Sequence, residues 1–177
     1  MFDCIKNVFR KRYLRRKKSN VETGFIPLSK INSAIVFINS EDKHSDECKE
    51  RVLAYFKSKG IKVDVFFFDF SKKSKDDRQI TSLNTTVLRK DLNWCGRPSK
   101  DKTNQMLQTN ADLFISLLDN TDFPIAYMAK CSTARFKIGR RQLSGSTFDL
   151  VIEDSATGSY SQEEAFNAIT RYLETIG

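Results

Sequence analysis

Short apolar runs recur along this chain, and most are followed by a segment whose apolar residues return every three or four positions. Residues 31–39 alternate and then run apolar, and residues 61–70 are β-branched and aromatic, which predicts two strands. Further strands are predicted at 85–89, 112–118 and 148–152. Helices are predicted between them. One covers about 42–59, with Val52, Leu53, Tyr55 and Phe56 on its inner stripe and Gly60 at its end. Ser99 opens another to about 110. Thr121 or Asp122 caps a third, with Pro124 in its first turn, where a missing N–H is tolerated. Ser161 opens the last, to about 176, with Ala165, Phe166, Ile169, Tyr172 and Leu173 facing inward. Buried strands alternating with helices select an α/β fold. The expectation is a three-layer sandwich around a mostly parallel, doubly wound sheet of flavodoxin or Rossmann type. At 177 residues the chain has room for one domain with a substantial core, and its 14 Phe supply bulk for it.

The first 20 residues are of another kind. They hold Lys6, Arg10, Lys11, Arg12, Arg15, Arg16, Lys17 and Lys18 against Asp3 alone, a balance of +7 in a chain of +8. Residues 21–177 are therefore nearly neutral. Placed on a helix, Met1, Phe2, Ile5, Val8, Phe9 and Tyr13 share one face, onto which Arg12 and Arg16 intrude. The organisation expected is a basic amphipathic arm over 1–20, a linker over 21–30 carrying Gly24 and Pro27, and one α/β domain over 31–177. The arm lacks the apolar core and cleavage site of a secretory leader, and no apolar run approaches the ~20 residues of a membrane span. Cys4, Cys48, Cys95 and Cys131 are widely spaced without a CxxC pair, which suits free thiols in a cytoplasmic protein.

A second basic stretch lies in the body. Residues 130–141 contain Lys130, Arg135, Lys137, Arg140 and Arg141 and no acid. Ala134, Phe136 and Ile138 alternate with Arg135 and Lys137, predicting a half-buried strand with a basic face. Outward cations are also a common protection of edge strands, and that reading stands beside a polyanion contact.

Ligands of open α/β sheets bind beyond the carboxyl ends of the strands. Here those ends carry Asn39, Ser40, Glu41, Asp42, Asp69, Ser71, Asp119, Asn120, Glu153 and Asp154. The loop after the first strand has no glycine and two acids, which excludes a phosphate-cradling dinucleotide site. The acids suit a hard cation such as Mg²⁺, but acids in such places more often cap turns and helices. His44 and Cys48 stand one helical turn apart and could share a metal or a proton. Two ligands are too few for a structural zinc site, and no third group is present to orient a catalytic pair. No catalytic residue, metal or cofactor is assigned. In the loop DLNWCGRP, Trp94 and Arg97 are candidate partner contacts, since an exposed Trp beside an Arg stacks a base or clasps a protein. The alternative is that Trp94 plugs the core.

Several stretches together, FFFDFSKK (66–73), KDLNWCGRP (90–98), ADLFISLLDN and FPIAYMAKCSTARFKIG (111–139) and FDLVIE (148–153), resemble a family of uncharacterised bacterial proteins found mainly in Bacteroidota. The resemblance implies a bacterial, cytoplasmic α/β protein of unknown function. It brings no catalytic residues, and it argues against an organellar presequence.

The function expected from these features is non-enzymatic association with RNA or a ribonucleoprotein, the ribosome among them. The arm is the contact, with Lys130, Arg135, Lys137, Arg140 and Arg141 as a second one. No recognition of DNA sequence is expected. One alternative is peripheral attachment to an anionic membrane through the same helix. Another is a small-ligand or metal-binding enzyme or sensor at the carboxyl end of the sheet.

Overall fold

A computed structural model describes residues 2–16, 21–71, 85–143, 145–153 and 160–176. Its element order is α1 (Phe2–Arg16), β1 (Ser33–Asn39), α2 (Ser45–Ser58), β2 (Lys62–Asp69), β3 (Thr86–Leu88), α3 (Lys100–Gln108), β4 (Leu113–Ser116), α4 (Phe123–Cys131), β5 (Phe136–Gly139), β6 (Leu150–Val151) and α5 (Gln162–Ile176). The six strands form one sheet in the order β3-β2-β1-β4-β5-β6, and every pairing is parallel. The order reverses between β1 and β4, as in doubly wound sheets.

Each strand divides its side chains between two layers, as the period of two requires. Ala34, Val36 and Ile38 of β1, with Val65 and Phe67 of β2, face Cys48, Val52 and Phe56 of α2 and Phe166, Ile169 and Leu173 of α5. Ile35, Phe37, Phe66, Phe68 and Phe114 face the other way, onto Met106 of α3 and the apolar residues of α4. Phe37 lies at the centre of that second layer, with its ring centroid 4.6 Å from Phe114 and 4.7 Å from Phe68. The chain is thus a three-layer α/β sandwich.

Local signals explain the boundaries. Ser99 Oγ accepts from Lys102 N and opens α3. Gly60 takes φ +70° after α2, and Ile61 N donates back to Phe56 O at 2.9 Å, closing the helix with a left-handed residue. Pro124 sits in the first turn of α4.

β5 departs from the half-buried strand predicted over 134–138. All four of its residues are buried, and it lies inside the sheet between β4 and β6. It is not an edge, so its cations do not serve as edge protection. The segment predicted as a linker lies along this strand. Gly24 N donates to Arg135 O at 2.9 Å, Thr23 Oγ1 donates to Asp149 at 2.7 Å, and Phe25 meets the Phe136 ring edge-on. Residues 71–78 are polar and charged, as suits a loop between β2 and β3, and fall almost wholly outside the described residues, as do residues 154–159.

Candidate polyanion-binding surface

α1 packs on the body through Tyr13, at one edge of its predicted apolar stripe, and not through the rest of that stripe. At 100° per residue, Tyr13, Arg10 and Leu14 occupy one side of the helix, and that side is the docked one. Tyr13 and Leu14 join the core layer around α4, and the Tyr13 ring meets Tyr127 edge-on at 6.4 Å. Arg10 Nε donates to Cys95 O at 2.7 Å, and its guanidinium lies 5.3 Å from the Phe123 ring centroid. The loop replies in kind, with the Arg97 guanidinium 4.7 Å from the centre of Tyr13. Cation–aromatic contacts of this sort each contribute about 0.5–1 kcal/mol at accessible sites.

The loop over 92–98 is built to receive the helix. Asn93 Oδ1 accepts from Cys95 N and Arg97 N at 3.1 and 2.8 Å, Asn93 N donates to Arg97 O, and Leu92 bridges Pro98. Gly96 adopts φ +86°, and a Cβ there would meet the Arg10 guanidinium at 3.1 Å. Cys95 and Pro98 are the residues this loop buries, whereas Trp94 stands 58% exposed. Trp94 therefore does not plug the core; it faces out and touches Phe9 edge-on at 5.3 Å.

The undocked side of α1 is consequently free. Val8 is 65%, Ile5 46% and Phe9 38% exposed, and with Trp94 they form an outward apolar group. Lys11, Arg12, Arg15 and Arg16 are exposed on the next two turns. Apolar and cationic residues are thus separated along the helix axis rather than around it. Lys6 is half-buried. Lys17 and Lys18 lie outside the described residues. A cleft of about 360 Å³ runs along the flank of α1, lined by Asn7, Arg10, Lys11, Leu14, Thr121, Asp122 and Gln142.

The second basic stretch is divided, and two of its five cations are buried. Lys137 is 3% and Arg140 2% exposed. Lys137 Nζ donates to Ala129 O at 3.0 Å and Ser132 O at 2.6 Å, capping the carbonyls that the end of α4 leaves without intrahelical partners. Burial pushes its ammonium below the usual lysine range, against the opposing pull of Asp149. Arg140 donates to Leu117 O at 3.1 Å and to Tyr160 O, tying the loop after β4 to the start of α5. Of the remaining three, Arg135 precedes β5, is exposed and approaches Asp112. Lys130 is half-buried at the end of α4, and Arg141 is exposed beyond the far end of β5. About six residues of extended chain, roughly 20 Å, separate Arg135 from Arg141.

The carboxyl end of the sheet is occupied by the chain's own side chains. At the reversal point, Gln162 Oε1 accepts from Asn39 N at 2.7 Å, and its Nε2 donates to Asn39 O and to Asp42 at 3.0 and 3.2 Å. Asp69 accepts from Ser71 N and Oγ, Glu41 from Phe70 N, and Asn120 from Asp122 N. These are turn-capping bonds. Among the described residues no group of three or more His, Cys, Asp or Glu is placed to hold a metal ion. His44 pairs with Glu47 on the surface, while Cys48 is buried. Burial, with Glu163 and Asp42 adding to it, raises the Cys48 thiol to about 12. A thiol held protonated is a poor nucleophile and a poor ligand.

A model of a family of unknown function, DUF6913, matches residues 5–176. The chain belongs to this family. The match begins within α1, so most of that helix lies inside the matched range. No curated protein and no solved structure matches the DUF6913 chain. Among its described residues, no helix is long and apolar enough to cross a membrane.

Proposed function

We propose that this chain is a non-enzymatic α/β protein that attaches peripherally to an anionic membrane surface, on the cytoplasmic side of a bacterial cell. One observation carries the reading: Ile5, Val8, Phe9 and Trp94 are presented outward on the same side as exposed Lys11, Arg12, Arg15 and Arg16. Large apolar side chains next to cations suit the boundary between acyl chains and anionic headgroups, where Trp and Phe sit favourably. Each basic residue near such a surface contributes about 1 kcal/mol. The chemistry around Cys48 and His44 supports the non-enzymatic part, since the thiol is buried and held protonated while the imidazole pairs with Glu47.

Association with RNA or a ribonucleoprotein is the second reading. It is favoured by the open rings of Phe9 and Trp94 beside the Arg12, Arg15 and Arg16 guanidinium groups, which could stack bases and pair with phosphates. It leaves the aliphatic Ile5 and Val8 without a role, and for that reason stands second.

Vesicle flotation separates the two. The full chain floats with vesicles containing about one third phosphatidylserine, stays down with pure phosphatidylcholine, and is released as salt rises. Replacing Ile5, Val8 and Phe9 by Ser abolishes flotation. Absence of flotation, together with salt-sensitive sedimentation with ribosomes, would transfer the assignment to the ribonucleoprotein.

A further inference from the structure

The chain has a single tryptophan, and it stands on a loop 85 residues from the helix that holds it. Arg10 reaches across that interval to Cys95 O, and Arg97 reaches back to Tyr13. A Cβ at Gly96 would come within 3.1 Å of the Arg10 guanidinium, and the φ of +86° there already favours glycine. α1 and the 92–98 loop are therefore clamped to each other and, through Phe123 and Tyr127, to α4.

We infer that α1 and this loop enter an anionic bilayer as one preformed wedge, with Arg10 as its positioning residue. This rests on the membrane reading above and adds to it the inserting residues, the orientation and the part played by Arg10. Ile5, Val8, Phe9 and Trp94 lie below the headgroups, and Lys11, Arg12, Arg15 and Arg16 lie among them. The helix thus enters with its N-terminal half deeper. Arg10 stays behind the surface and touches no lipid. A free amphipathic arm must lose conformational freedom when it binds, whereas a docked helix has already lost it.

The composition of the patch selects this occupant. Bases need flat faces, and Ile5 and Val8 offer none. A second copy placed by a two-fold axis through the apolar four would set one strongly basic α1 against another, which is unfavourable. Anionic headgroups complement the cations while acyl chains receive the apolar four.

Trp94 is itself the probe. The full chain is mixed with phosphatidylserine–phosphatidylcholine vesicles carrying brominated acyl chains, and its intrinsic fluorescence is followed. Emission shifts to the blue and is quenched by the bromine in the wild-type chain, and does neither on pure phosphatidylcholine. Arg10→Ala reduces the quenching to about half or less because the loop is no longer held, while the salt dependence of flotation is unchanged. Arg10→Lys, which keeps the charge and loses the fork, reproduces the loss of quenching in a folded background. Arg12→Ala does the reverse, lowering the salt dependence and leaving quenching of the bound fraction intact.

Wild-type chain that fails to float overturns the membrane reading together with this inference. Flotation with unshifted, unquenched Trp94 overturns the wedge alone. Arg10 variants that quench like the wild type overturn the positioning role. A blue shift produced by RNA, or by concentrating the chain, but not by vesicles makes the occupant a nucleic acid or a second copy and overturns the proposal.

Discussion

The two basic stretches of this chain contain the same residue types and stand in opposite environments. In α1 the cations at 11, 12, 15 and 16 are exposed and follow an exposed apolar group along the helix. Around β5, Lys137 and Arg140 are buried and spend their hydrogen bonds on backbone carbonyls. A count of charge per segment treats them alike. The difference lies in what stands opposite: solvent for α1, and the unsatisfied end of α4 and the 117 and 160 carbonyls for β5. Charge clusters mark an interaction surface only where no element of the chain's own backbone is there to receive them.

The comparison is broken most forcefully at the buried pair. Lys137→Met strands two carbonyls at the end of α4 and is expected to destabilise the fold by about 2–4 kcal/mol, lowering Tm by roughly 5–15 °C in a calorimetric scan. Arg140→Ala acts in the same direction, through Leu117 O and Tyr160 O. A wild-type Tm in either variant would mean that these cations are not structural.

The exposed set is expected to separate binding from stability. Arg12, Arg15 and Arg16 replaced one at a time by Ala each weaken vesicle binding by about 1 kcal/mol, near fivefold, and shift stability by no more than about 0.5 kcal/mol. Titration of vesicles against intrinsic fluorescence, beside a thermal melt, reads both.

Alkaline pH sharpens the contrast. The Cys48 thiol and the Tyr55 and Tyr127 hydroxyls are each raised by burial to about 12. They keep their protons in the folded chain after the unfolded chain has lost them, so stability falls as pH rises from about 9 toward about 12. Lys137 is held below its usual range and works in the opposite sense at pH values below its ordinary 10.5. Lys137→Met removes that opposing contribution. Denaturant midpoints between pH 8 and 11 therefore decline more steeply in the variant than in the wild type.

The smallest effect concerns the thiols. Cys4 is exposed and Cys48, Cys95 and Cys131 are buried. A maleimide at neutral pH is expected to label the folded chain once, on Cys4, which leaves the fold unchanged.

Much of the architecture was legible in sequence because the strands are mostly apolar and the helices carry their own stop signals. Ser99, Pro124 and Gly60 mark boundaries by local chemistry, and the structure uses them so. The burial of Lys137 was not legible. The alternation around Phe136 and Ile138 places it on the opposite side of the strand, but only the third dimension puts α4 there with its carbonyls open. The docked face of α1 was hidden for a related reason. Ile5, Val8 and Phe9 make the stronger stripe, yet Arg10 docks, because Cys95 O and the Phe123 ring can satisfy a guanidinium. Trp94 could be located in a loop by its neighbours Asn93, Gly96 and Pro98. Its meeting with Phe9 depends on a contact across the whole fold.

The most direct measurement is flotation of three chains on phosphatidylserine–phosphatidylcholine vesicles across a salt series: wild type, the triple Arg12, Arg15 and Arg16→Ala variant, and Lys137→Met, at a temperature where all three are folded. The expected result is salt-sensitive flotation of the wild type and of Lys137→Met alike, and its loss in the triple variant. Equal flotation of all three, or loss in Lys137→Met alone, would contradict the division of labour between the two basic regions.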